Sequence, residues 1–202
     1  MCTQPNLFDP YPLFPTAQKS AFNIPGLKYT RDFITLAEEK TLLDAIDLGI
    51  WINDLKRRVQ HYGYKYDYKA RRIDLRMRIG GLPYWLEALA SRLQAENFFV
   101  AKPDQIIVNE YQPGQGITPH IDCEPCFADT VVSLSLNSTA VMEFSRDEEK
   151  IPYLLEPRSV IALTNESRYE WKHSIPARKK DLFQGLIYPR KRRVSLTFRK
   201  VI

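Results

Sequence analysis

Apolar positions change their spacing twice before residue 100. In "YTRDFITLAEEKTLLDAI", Leu36, Leu42, Leu43 and Ile46 recur at helical intervals, which predicts an amphipathic helix. Thr35 stands three residues before Glu38, the reciprocal arrangement in which a hydroxyl and a carboxylate satisfy backbone donors that a first helical turn leaves open. The stretch "RRVQHYGYKYDY" then alternates with period two, as a half-exposed strand does. Helical spacing returns in "GGLPYWLEALASRLQ", entered through Gly80, Gly81 and Pro83. From residue 105 onward short β-rich runs take over: "QIIVNEY", "TVVSLSL", "AVMEF", "SVIALTN", "YEWKHSI" and "RVSLTFRKV". Such runs between closely spaced turn signals predict an antiparallel sandwich or barrel. Residues 1–20 are Pro-rich and lack pattern, and are read as an extended arm before one α+β domain over 21–202.

Composition narrows the class. At 202 residues and 44% hydrophobic the chain can bury one substantial core. No run of about eighteen apolar residues occurs, and "MCTQPNLFDPYPLF" has no basic segment followed by an apolar one. These features predict no membrane span, no secretory signal and a cytoplasmic setting. Cys2, Cys123 and Cys126 are too few for a disulfide framework, and are expected to be free thiols. Cys123 and Cys126 have the spacing of half a zinc site, but no second pair completes it.

Charge is unevenly distributed. Lys56, Arg57, Arg58, Lys65, Lys69, Arg71, Arg72, Arg76 and Arg78 face only Asp67 and Asp74 over residues 56–78, with Tyr62, Tyr64, Tyr66 and Tyr68 interleaved. Cations mixed with aromatic rings suit phosphate contact and base stacking; a half-exposed strand with a basic outer face is the plainer account.

The chain has three histidines. On a strand, residues two apart point to the same side, so His120 and Asp122 in "TPHID" would present an imidazole and a carboxylate to a common point. A third ligand must come from His61 or His173, and His173, in a late β run, fits better. Two histidines and one carboxylate leave open positions on an iron(II) ion. An isolated His-x-Asp is common by chance, so a second signal matters. Arg193, Ser195, Thr197 and Arg199 alternate with Val194, Leu196 and Phe198 in "RVSLTFR". That pattern aims two guanidinium groups into one cavity, where a dicarboxylate would neutralise both, although structural salt bridges would also satisfy them.

The order Asn-x-Tyr-x-x-Gly, His-x-Asp, a distant His and Arg-x-x-x-x-x-Arg resembles the AlkB family of iron(II)/2-oxoglutarate dioxygenases. The resemblance extends over about residues 58–200 and includes Gly63 to Tyr66, "NEYQPGQGI", "VSLSLNSTAVMEF", "NESR" and "SLTFR". It implies a double-stranded β-helix (jelly-roll) core over about 105–202, amino-terminal helices, and a nucleotide-recognition lid over about 56–80. It further implies iron(II) held by His120, Asp122 and His173. For 2-oxoglutarate it implies Asn109, Tyr111, Arg193 and Arg199, with Ser195 and Thr197 nearby, and O2 as the oxidant.

For the substrate, the resemblance implies alkylated DNA or RNA. Tyr64 and Tyr66 would lie in the lid, Glu124 would read an exocyclic amine, and Lys65, Lys69, Arg71 and Arg72 would contact phosphates. The lid tryptophan that stacks on the flipped base in repair members has no counterpart in "LKRRVQHYG", so His61 or Tyr62 is expected to stack instead. Oxidative dealkylation of damaged bases, releasing an aldehyde, succinate and CO2, is the first expectation. Hydroxylation of a modified tRNA wobble uridine, the branch that "NEYQPGQGITPHID" and "ESRYEWKHSI" most resemble, is the second. A binding module that has lost catalysis would lack a ligand or an arginine, and all five positions are filled. "QPNLF" resembles peptides that dock on the replication sliding clamp through Gln4, Leu7 and Phe8, against the plainer reading of a disordered arm. Trp171 is expected in the core, and the protein as a monomer.

Overall fold

In a computed structural model, residues 23–202 are described; the arm and Gln4, Leu7 and Phe8 lie outside the described residues. In chain order the elements are β1 (Leu27–Thr30), α1 (Leu36–Asp47), β2 (Arg58–Tyr62), α2 (Tyr84–Ala95), β3 (Gln105–Tyr111), β4 (Ile117–His120) and β5 (Phe127–Leu136). There follow β6 (Ala140–Arg146), β7 (Glu149–Leu155), β8 (Val160–Leu163), α3 (Asn165–Tyr169), β9 (Lys172–Ile175), β10 (Lys180–Phe183), β11 (Leu186–Pro189) and β12 (Arg193–Val201). No helix among the described residues is long and apolar enough to cross a membrane.

Local chemistry accounts for the helices. Thr35 Oγ1 accepts from the Glu38 amide at 3.2 Å and Glu38 Oε2 accepts from the Thr35 amide at 2.7 Å, a capping box worth about 1 kcal/mol. Leu42 and Ile46 are buried, but Leu36 is 71% exposed. As the first residue of α1 it points to solvent, so the expected apolar stripe begins later. Helix α2 starts directly after Pro83, whose fixed φ suits an entry.

A six-stranded antiparallel sheet runs β1-β8-β5-β12-β3-β2, and a four-stranded antiparallel sheet runs β4-β9-β6-β7. The chain passes repeatedly between them, giving the double-stranded β-helix. In the larger sheet the pleat sorts residues by parity. Ile106, Val108, Val132, Leu134, Val194, Leu196 and Phe198 pack with Leu42, Ile46, Leu86 and Leu93 of the two helices. The opposite face turns Tyr111, Val131, Ile161 and Leu163 toward Met142, Phe144 and Ile175 of the smaller sheet. Trp171 is 2% exposed in that second cluster, in the core as expected.

The period-two reading of residues 57–68 is corrected: the strand covers Arg58–Tyr62 and ends there. Gly63 has φ +75°, and a Cβ there would lie 1.8 Å from the Asp104 carbonyl oxygen, so alternation breaks at a position only glycine tolerates. Beyond it the chain doubles back, with isolated bridges Tyr64 to Arg78 and Asp67 to Arg72. Asp67 Oδ1 accepts from the amides of Lys69 and Ala70 at 3.0 and 2.9 Å, forming the tip of the lid. Gly63→Ala is expected to cost on the order of 3 kcal/mol and to lower Tm by roughly 6–12 °C in a thermal melt; an unchanged Tm would show that this backbone has room to shift.

Candidate metal and anion site

Strands β4 and β9 pair so that His120 sits opposite His173, with ring centroids 4.4 Å apart. His120 Nδ1 lies 2.8 Å from the Thr118 carbonyl oxygen. A carbonyl can only accept, so Nδ1 carries the proton and Nε2 is left as the ligand atom. Asp122 follows β4 and is buried. Its Oδ1 accepts from Arg199 Nη2 at 3.1 Å, while Oδ2 is buried with no hydrogen-bond partner.

The ligand atoms of His120, Asp122 and His173 all lie within 4.8 Å of one another. Burial opposes ionisation of Asp122, but the Arg199 guanidinium and then the two imidazoles outweigh it and hold the carboxyl well below its usual range. Burial, reinforced by His120, pushes His173 down to about 3, leaving a neutral imidazole with a lone pair. An orphaned carboxylate oxygen beside two imidazole donors fits a divalent cation of the iron(II) type. Arg168, fully buried on α3, donates to the Asp122 carbonyl at 3.0 Å and the Cys123 carbonyl at 3.4 Å. It thereby fixes the backbone that carries the carboxylate.

The same cavity, about 450 Å³, holds an anion socket. The register sets Tyr111 against Arg193, Asn109 against Ser195, and Ile107 against Thr197, with Ser135 and Ser133 on the far side of β12. Arg193 is 2% exposed and donates Nη2 to Ser135 Oγ at 2.7 Å. Its Nε and Nη1 are buried without partners, and burial lowers its pKa to about 10. An unpaired guanidinium at this depth is costly, and a carboxylate offering two oxygens would match its two free donors. Arg199 differs, being already committed to Asp122 and to Gln105 Oε1 at 3.2 Å.

The lid covers the mouth differently from the sequence expectation. Tyr66 lines the cavity as expected, joined by Arg57, Tyr68 and Arg71. Tyr62 does not, because it lies on the other face of β2, edge-on to Trp85 at 5.6 Å. Nor does His61, which is covered by Tyr68 and accepts the Tyr66 amide on Nδ1 at 3.1 Å. Burial lowers His61 to about 4, so it is a neutral lid anchor rather than a stacking ring. Tyr64, turned inward after Gly63, packs with Cys123, Cys126, Phe127 and Val201. Glu124 is exposed on a 3₁₀ turn outside the cavity lining. Lys65, Lys69, Arg71 and Arg72 are exposed on the lid. Tyr68 was interleaved among the lid cations in sequence, but its role in the lining had no separate signal. Its hydroxyl is buried without a partner, and burial raises its pKa to about 12, so it remains a donor.

The expectation of free thiols is corrected at two positions. Cys123 and Cys126 form a disulfide with Cα atoms 5.3 Å apart. The short 3₁₀ turn between Asp122 and β5 brings their side chains together, beside the Arg71 carbonyl of the lid. Alkylation of the denatured protein without reductant, read by peptide mass spectrometry, is expected to leave both residues unlabelled. Prior reduction should label both; labelling without reductant would contradict the bridge.

Residues 52–199 match the family described as the 2OG-Fe(II) oxygenase superfamily. The chain is 41% identical over 207 residues to the "Alkylated DNA repair protein ALKBH8 homolog" of Arabidopsis thaliana, covering 90% of this chain and 60% of that protein. It is 38% identical to the "tRNA (carboxymethyluridine(34)-5-O)-methyltransferase ALKBH8" of Macaca fascicularis, covering 88% of this chain and 30% of that protein. The chain thus spans less than two thirds of the length of these relatives. The solved structure of OsALKBH1 superposes with a TM-score of 0.68 at 19% identity, covering 89% of this chain and 98% of the other, which agrees in fold. Since the matched residues run from before β2 nearly to the end of β12 and so take in every strand of the two sheets except β1, this chain belongs to the 2OG-Fe(II) oxygenase superfamily and, within it, to the AlkB family.

Proposed function

We propose that the protein is an iron(II)- and 2-oxoglutarate-dependent dioxygenase that oxidises an alkyl substituent on a base of DNA or RNA. The observation that carries this reading is one cavity in which a His-Asp-His cluster adjoins a buried guanidinium with two free donors, beneath a basic lid. His120 Nε2, His173 and Asp122 Oδ2 would hold the metal. Arg193, with Tyr111, Asn109, Ser195 and Thr197 around it, would bind the cosubstrate. Iron(II) with 2-oxoglutarate, when bound, supplies the activation of O2 that converts the cosubstrate to succinate and CO2 and oxidises a substrate C–H bond.

The residues of the chain do the positioning. Thr118 fixes the His120 tautomer, Arg199 keeps Asp122 ionised, and Arg168 anchors the loop between them. Tyr66 and Tyr68 at the mouth offer ring faces and a hydroxyl to a base taken out of its stack. Lys65, Lys69, Arg71 and Arg72 offer charge to the backbone. A carbon attached to a base nitrogen becomes a hemiaminal when hydroxylated and leaves as an aldehyde, which is dealkylation; a carbon without such a leaving group keeps its hydroxyl.

A second reading, hydroxylation of a modified tRNA wobble uridine, is supported by the 38% identity to a relative whose name specifies that nucleoside. The replication-clamp contact, the cytoplasmic setting and the monomeric state remain parts of this proposal.

Incubating the protein with iron(II), 2-oxoglutarate and a panel of methylated and etheno-bridged oligonucleotides, together with bulk tRNA, separates the two by mass spectrometry. Loss of alkyl mass supports dealkylation, a gain of one oxygen on tRNA supports hydroxylation, and succinate formation without either change rejects both. Anaerobic titration with iron(II) and 2-oxoglutarate is expected to give a visible charge-transfer band that His120→Ala and His173→Ala abolish; an unchanged band in the variants refutes the ligand assignment. Arg193→Met is expected to raise the apparent 2-oxoglutarate constant well over tenfold, since removing the partner of a buried charge costs on the order of 3 kcal/mol; an equal constant refutes that role.

A further inference from the structure

Arg57 is a cavity-lining residue that neither the two-arginine pattern nor the metal cluster accounts for. It directly precedes β2, and its Nε donates to Asn109 Oδ1 at 2.8 Å. A guanidinium nitrogen can only donate. The Asn109 amide is therefore held with its oxygen toward Arg57 and its two N–H donors turned the other way. Asn109 itself is buried on β3, opposite Ser195 and two residues from Tyr111. The Tyr111 ring has the Arg57 guanidinium carbon 5.7 Å from its centroid and that of Arg193 at 5.6 Å. Tyr111 and Asn109 thus link the lid arginine to the buried socket.

The placement of Arg57 is built rather than incidental. Its neighbour Arg58 is clamped by Glu110 and stacked 4.3 Å from the Trp51 ring, and the Lys56 carbonyl accepts from Gln115 Nε2 at 2.6 Å. Backbone on both sides of Arg57 is therefore held. Among the described residues no carboxylate forms an ion pair with it, unlike Arg58 and Arg192, which share Glu110. Its positive charge consequently remains available to the field of the cavity.

We propose that Arg57 is a positioning residue for the cosubstrate. It orients the Asn109 amide so that its N–H donors meet an oxygen of 2-oxoglutarate, and in doing so makes the root of the nucleic-acid lid part of the cosubstrate site. The inference rests on reading the Arg193 socket as the 2-oxoglutarate site.

The test is anaerobic calorimetric titration of 2-oxoglutarate into the manganese(II)-loaded full chain, for wild type, Arg57→Met, Arg57→Gln, Asn109→Ala and the Arg57→Met/Asn109→Ala double variant. Arg57→Met and Arg57→Gln are each expected to weaken binding about tenfold with little change in Tm, and in turnover assays to raise KM for 2-oxoglutarate while leaving kcat within about twofold. On the Asn109→Ala background, Arg57→Met should cost less than about threefold, because the group it orients is already gone. Wild-type affinity in both Arg57 variants overturns the proposal. So does a full tenfold loss on the Asn109→Ala background, which would mean that Arg57 acts by charge alone. Absence of wild-type binding would instead refute the socket reading.

Discussion

Four adjacent strands, β8, β5, β12 and β3, share one pleat, and that pleat separates the two environments the protein needs. Even-numbered side chains meet α1 and α2 in an apolar layer, while odd-numbered ones face the smaller sheet and line the cavity. Because strand side chains alternate with a period of two, a slip of one residue in any pairing would send arginines into the apolar layer and leucines into the cavity. The burial of Arg193 and Arg199 on one face is affordable only because Val194, Leu196 and Phe198 pack so completely on the other.

The electrostatics of the cavity follow from the same arrangement. Arg57, Arg168, Arg193 and Arg199 converge on a region in which Asp122 is the buried acid. Arg199 donates its Nη atoms to Gln105 and Asp122, and Arg168 its Nη atoms to backbone carbonyls, each leaving only Nε without a partner. Arg193 keeps two donors unpaired. The cavity is therefore electropositive in two places with different purposes. A deep socket suits a small carboxylate, and an exposed rim of lid cations suits a polyanion.

The crossing from the smaller sheet to the larger one explains why the metal cluster lies where it does. His120 ends β4, Asp122 follows at the crossing, and the bridged Cys123–Cys126 turn delivers the chain into β5. Arg168 from α3 holds the carbonyls of Asp122 and Cys123. His173 arrives from β9, paired with β4 by backbone hydrogen bonds. Two imidazoles and a carboxylate thus meet through neighbouring strands and a tight connection, a rigid support for ligands that must converge on one point.

Sequence by itself determined the features that depend on local period and residue chemistry. The capping box at Thr35 and Glu38, the two long helices, the β-rich second half and the alternation of Arg193 to Arg199 were all legible, because each is set by side chains a few positions apart. The lid was not. Gly63 interrupts the alternation of Tyr62, Tyr64, Tyr66 and Tyr68, and only the approach of the distant Asp104 carbonyl reveals why. Tertiary structure alone sent Tyr62 to Trp85, Tyr64 to the disulfide and Tyr68 to the cavity. It likewise brought Arg57 to Asn109, 52 positions away. Contacts of that range depend on how sheets stack and where a turn bends, and no periodicity within one segment encodes them.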